Sequence, residues 1–183
     1  MKIYALRHGQ TNYNRRGLCN GDPTVDVHLT REGVAQAEAA AGLLRGVPIE
    51  HVYVSQLPRT RQTAEIINRS LGVPIEAHPA LNDILTGCEG LPVETYFARI
   101  TPDRLRTRPP NGESLLEFRE RVLGFLAILP GLPYQTIALV AHEETLRVLY
   151  GHFHHLALEE LPALSFYNCQ ILEFEERGQS PFF

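Results

Sequence analysis

Three stretches of this chain end an apolar run in residues that can do chemistry. Ile3–Leu6 passes into Arg7-His8-Gly9, Val52–Val54 into Ser55-Gln56-Leu57-Pro58-Arg59, and Ile137–Ala141 into His142-Glu143-Glu144. A cation, an imidazole and a glycine finish a core strand poorly, but they offer a nucleophile to an anion well. Histidine can attack phosphorus directly and split one difficult displacement into two easier ones through a covalent intermediate. Only a neutral imidazole nitrogen attacks, so the other ring nitrogen must donate, most simply to a backbone carbonyl. Arginine supplies a rigid fork of donors that matches phosphate oxygens. Phosphoryl transfer asks a protein for little beyond positioning and charge stabilisation. His8 is therefore expected to be the nucleophile and a phosphate the anion.

Elements must bring these residues together. Residues 2–6 read as a buried strand, 51–55 as a second, 75–78 as a short third, 136–141 as the clearest core strand and 167–174 as the last. Thr30 is a plausible N-cap for an alanine-rich helix to Leu44, stopped by Gly46 and Pro48. Pro58 suits the first turn of a helix that runs to about Ser70 and is capped by Gly72. Glu94–Ile100 reads as a short helix. Ser114–Leu129 carries Leu115, Phe118, Val122, Leu126 and Leu129 at helical spacing, and Thr145–His155 reads as the last helix. Residues 9–29 and 81–92 read as polar loops, and loops of that length in a compact domain are often functional. Residues 101–112, rich in Arg and Pro, read as a further loop. Strands alternating with helices predict an α/β fold, a three-layer α/β/α arrangement with a mostly parallel central sheet flanked by helices. Ligands of such sheets gather beyond the C-terminal strand ends. Two histidines and two arginines are thus expected at one edge.

Composition narrows the function classes. The chain has 183 residues, 44% hydrophobic and 21% charged, with a net charge of -4. One domain, 1–183, is the expectation. The negative balance argues against a general nucleic-acid partner, and no apolar run approaches the roughly 20 residues that span a bilayer, so no membrane partner is expected. Residues 1–8 lack the pattern of a secretory signal. Cys19, Cys88 and Cys169 are too few and scattered for a disulfide framework or a zinc site, which fits a cytoplasmic protein with reduced thiols. Lys2 is the only lysine, so an arginine counts as phosphate-directed only at a special position. His152, His154 and His155 stand at i, i+2 and i+3 and do not share one helix face; no metal site is expected there.

The order Arg7-His8-Gly9-Gln10-Thr11 with Asn14, Leu29–Ala37, Ser55–Ala64 centred on Arg59, Pro110-Asn111-Gly112-Glu113-Ser114 and Val140-Ala141-His142 resembles the histidine phosphatase superfamily, in its phosphoglycerate-mutase-like branch, along most of the chain. The resemblance implies a phosphoglycerate-mutase-like fold and a metal-independent phosphomonoesterase that uses no cofactor and acts on a small phosphorylated metabolite. Inorganic phosphate would also bind. His8 would become phosphohistidine. Arg7, Arg59 and His142 would hold the phosphoryl oxygens, with Asn14 assisting. Asp83, in Leu81-Asn82-Asp83, falls where the family has its acidic proton donor, and Glu89 is the rival acid six residues on. A homodimer is compatible with the sequence. Two alternatives share the pocket. One is a cofactor-dependent phosphoglycerate mutase, which the short stretch between Leu81 and Gly112 disfavours. The other is a non-catalytic phosphate-binding module, motivated by Glu143-Glu144, where the family has small residues and where a carboxylate would repel substrate unless it turned away or paired with an arginine.

Overall fold

A computed structural model of the chain describes residues 1–101 and 103–176. In chain order its elements are β1 (Lys2–Arg7), α1 (Asn12–Arg16), α2 (Arg31–Leu43), β2 (His51–Val54), α3 (Pro58–Leu71), β3 (Ile75–Ala77), α4 (Val93–Ile100), α5 (Leu115–Ile128), β4 (Thr136–Ala141), α6 (Glu143–Phe153) and β5 (Ile171–Glu175). The strands form one sheet in the order β3-β2-β4-β1-β5, parallel except for β5, which runs antiparallel to β1. Among the described residues no helix is long and apolar enough to cross a membrane.

The near-continuous apolar runs of β2 and β4 follow from burial on both faces: every residue of both strands is buried. On one face Ile3, Ala5, Ile137 and Leu139 pack against Phe118, Val122 and Phe125 of α5 and Val148 and Leu149 of α6. On the other, Leu6, Val52, Val54, Ala138 and Val140 pack against Ala37 and Ala40 of α2 and Ala64 and Ile67 of α3. The result is the expected three layers.

Register decides where the chemistry lands. Arg7 pairs with Ala141 across β1 and β4, and Val54 with Val140 across β2 and β4. Parallel strands in this register end together, so His8, His142 and Ser55 emerge side by side. The His8 N–H donates to Ala141 O at 3.0 Å and extends the ladder one step past the strand.

Three element boundaries differ from expectation. Residues 9–29 contain α1, a single polar turn made by a capping box: Thr11 Oγ1 accepts the Asn14 N–H and Asn14 Oδ1 accepts the Thr11 N–H, each at 3.0 Å. The last helix starts two residues earlier than expected, with His142 as its N-cap and Glu143 and Glu144 in its first turn, where carboxylates favour the helix dipole. β5 starts at Ile171, because the backbone turns at Cys169, which has a φ of 57°.

Candidate active site

Gly9 admits α2. A Cβ on Gly9 would lie 2.5 Å from Gly33 O, and one on Gly33 would lie 2.1 Å from Gln10 O. The two glycines let the start of α2 press backbone to backbone on the segment after β1. Thr63 of α3 supports the same segment, its hydroxyl accepting the Gly9 N–H at 3.0 Å.

His8 is buried, and its Nδ1 lies 2.8 Å from Gly9 O. A carbonyl only accepts, so Nδ1 carries the hydrogen and the Nε2 lone pair is free to act. Arg59 Nε–H points at that lone pair at 3.1 Å. Burial, then the Arg59 cation, then His142 hold the His8 pKa well below the ordinary histidine value of 6.5, so His8 is neutral at pH 7. His142 is fully buried beside it, with ring centroids 5.3 Å apart, and burial together with Arg59 and Arg7 lowers its pKa in the same way. Its Nε2 lies 2.9 Å from Ser55 Oγ.

Arg59 is the hub. One side of its guanidinium donates to Asn20 through Oδ1 at 2.9 Å and the backbone O at 3.0 Å. Its Nη2 also meets Asp83 Oδ2 at 2.9 Å and His142 Nδ1 at 3.2 Å. Asp83 Oδ2 lies 3.4 Å from His142 Nδ1, so the four groups share one point.

Asp83 stands on a loop that is fixed from behind. Arg121 of α5 donates to the carbonyls of Ala80 and Asn82 at 3.0 Å each, and Glu113 pairs with Arg121 and accepts the Leu85 N–H. This is the structural content of the Pro110–Ser114 segment. Glu89, the rival acid, is exposed and accepts the Gly21 N–H at 2.7 Å, outside the cavity lining.

The structure brings Arg7, His8, Asn14, Arg59 and Asp83 to the lining of one cavity of about 170 Å³. His142 stands behind it, in contact with Arg59 and Asp83. Asn14 spends its Oδ1 on α1, which leaves its Nδ2 as the donor for an anion. Glu143 does not stand free before the phosphate site: Oε2 meets Arg7 Nη1 at 2.6 Å and Oε1 meets Arg147 Nη2 at 3.1 Å. Glu144 pairs with Arg147 Nη1 and lines the cavity, and burial pushes its carboxyl up to about 7. The Arg-rich stretch is occupied elsewhere: Arg99 on Gly87 O, Arg106 on Asp103 and Arg108 on Glu117. Arg104 stacks on Phe97.

Sequence reasoning missed Asn20, whose two oxygens orient Arg59, and Asn168, whose Nδ2 donates to His8 O at 2.8 Å. It also missed the apolar part of the cavity lining, Tyr13, Leu18, Val27, Tyr96 and Phe97.

A family model described as the histidine phosphatase superfamily (branch 1) matches residues 3–183. The adenosylcobalamin/alpha-ribazole phosphatase of Salmonella typhimurium is 30% identical over 181 residues, covering 93% of this chain and 86% of that protein. Human 6-phosphofructo-2-kinase/fructose-2,6-bisphosphatase 4 is 33% identical over 172 residues, but the chain spans only 34% of its length. Among solved structures, the alpha-ribazole phosphatase of Shigella flexneri superposes with a TM-score of 0.86 at 25% identity, covering 97% of this chain and 91% of that one. A mycobacterial glucosyl-3-phosphoglycerate phosphatase gives 0.76 at 26% identity, covering 94% and 90%.

Proposed function

The chain belongs to the histidine phosphatase superfamily, and we propose that it hydrolyses phosphate monoesters of small metabolites through a phosphohistidine at His8, without a metal ion. The observation that carries this reading is the state of His8. It is neutral, its Nδ1 is tied to Gly9 O, and its Nε2 is turned toward Arg59.

In the first step the phosphoryl group of the ester takes the place of the His8 lone pair as partner of the Arg59 N–H groups. Arg7 and the Asn14 amide complete the donors around it, and His142 joins them once the phosphoryl group draws Arg59 away from its Nδ1, all acting where negative charge is held in the transition state. His8 Nε2 forms a bond to phosphorus as the bond to the ester oxygen breaks. Asp83 meets Arg59 as a carboxylate in the free site; it takes the proton that enters with the ester monoanion as the phosphoryl group displaces it from Arg59, and passes that proton to the departing oxygen. In the second step Asp83, now a carboxylate, takes a proton from water while the water oxygen attacks phosphorus. Phosphate leaves and neutral His8 returns. The same acid serves in both directions, as microscopic reversibility requires.

The names of the relatives support a sugar- or nucleoside-like monoester as substrate. The test is a panel of phosphomonoesters assayed with excess chelator, wild type against His8→Ala. Wild type is expected to turn over members of the panel, and His8→Ala to lose on the order of 10³-fold or more in kcat. Full activity in His8→Ala would sink the assignment of the nucleophile.

A further inference from the structure

The cavity lining mixes charged and apolar side chains, and its charges do not balance. Two guanidiniums line it, Arg7 and Arg59, against three carboxylates, Asp83, Glu143 and Glu144. Each of those cations already faces an anion, Arg7 on Glu143 at 2.6 Å and Arg59 on Asp83 at 2.9 Å. When a phosphoryl group binds, both turn to it, and neither remains for a second anionic group on the substrate. Among the described residues no other side chain in the lining is cationic. Arg147 approaches Glu144 from α6 itself, and Arg104 stacks on Phe97 at 4.9 Å and lines a neighbouring groove. Tyr13, Val27, Tyr96 and Phe97 also line the cavity, and Glu144 lines the neighbouring groove as well, together with Tyr96 and Phe97.

We infer that Glu144 makes this site selective for monoesters whose leaving group is uncharged and partly apolar, and against monoesters that carry a second phosphate or a carboxylate. The inference rests on the phosphatase reading above and narrows it. The aromatic and aliphatic wall gains by covering an apolar leaving group. The Glu144 carboxylate accepts a hydrogen bond from a hydroxyl or amide on that group. It repels a second anion, because like charges brought together are costly. A nucleoside-like or aryl leaving group suits both the apolar lining and Glu144. A phosphoglycerate or a sugar bisphosphate meets a carboxylate where it needs a cation.

The experiment compares 4-carbamoylphenyl phosphate with 4-carboxyphenyl phosphate, which are nearly isosteric and differ in one charge. At pH 8 the Glu144 carboxyl is ionised, since burial pushes it up to about 7. Wild type is expected to favour the carbamoyl ester by about 30-fold or more in kcat/KM. Glu144→Gln should close that gap to within about threefold, and Glu144→Ala should act in the same direction. In wild type alone the gap should narrow from pH 8 to pH 6, as Glu144 takes up its proton among Arg147, Asp83, Glu143 and Arg104. Phosphate titration is common to both esters and cancels in the ratio, so this arm does not depend on how a variant folds. Equal turnover of the two esters by wild type, or an unchanged gap in both variants, would overturn the inference and leave the phosphatase reading standing. Hydrolysis of neither ester, nor of phenyl phosphate, would overturn both.

Discussion

Asp83 and Glu89 carry the same functional group six residues apart, and their surroundings separate them. Asp83 Oδ2 meets both Arg59 and His142, while Glu89 is exposed and ties down a backbone N–H of the 9–29 segment. Asp83→Asn is expected to lower kcat by about 10²-fold or more. The loss should be largest for alkyl esters, whose leaving oxygen most needs a proton, and smallest for 4-nitrophenyl phosphate. Glu89→Gln keeps an acceptor for the Gly21 N–H and should stay within about threefold of wild type. A leaving-group series on both variants checks this, and the reverse order would move the role to Glu89. Asp83 could be picked out from sequence because Leu81-Asn82-Asp83 is a local match. Asn20 could not, since its bonds to Arg59 cross 39 residues and leave no periodicity or spacing to read. Glu143 stands out in the sequence as an anomaly, but its resolution needs Arg147 one helical turn along α6 and Arg7 at the end of β1.

Among the elements, α2 supports the site by packing backbone to backbone on the segment after β1. Gly33 sits in the first turn of α2, and an added methyl would meet Gln10 O at 2.1 Å and Gln10 N at 2.8 Å. Backbone cannot yield as a flexible side chain can, so Gly33→Ala must push α2 away from Gly9 and Gln10. The expected cost is about 1–3 kcal/mol of unfolding free energy, with a fall in kcat because His8 is bonded to the same turn. Denaturant unfolding and steady-state kinetics on the one variant check both. β4 and the long helices were legible because burial on two faces, or on one helical stripe, writes a hydrophobic pattern. α1 was not, because a five-residue turn held by Thr11 and Asn14 buries no residue and writes none. Gly9 was visible as a glycine, but its neighbour Gly33 is brought to it only by the fold.

At the scale of the whole molecule, the site taxes stability in a pH-dependent way. His8 and His142 have folded-state pKa values below 6.5, so below that pH the unfolded chain binds more protons than the folded one. Their contribution is fully present above pH 6.5 and is lost as the pH falls through and below it. Each site adds a slope of up to about 1.4 kcal/mol per pH unit. Denaturant unfolding of wild type and His8→Gln between pH 5 and 7.5 is expected to show a shallower pH dependence in the variant. Parallel slopes would show that His8 is not held neutral. The sheet order carries a consequence of another kind. β1 is made first, yet its two neighbours, β4 and β5, come from the last third of the described chain. At about 5–20 residues per second, Ile3–Leu6 leaves the ribosome roughly 7 to 27 seconds before β4 exists to receive it. β2, β3, α2 and α3 contact one another locally in sequence and can assemble meanwhile. The nascent chain therefore carries an unpaired apolar strand until β4 follows it, and His8, the proposed nucleophile at its end, is seated late.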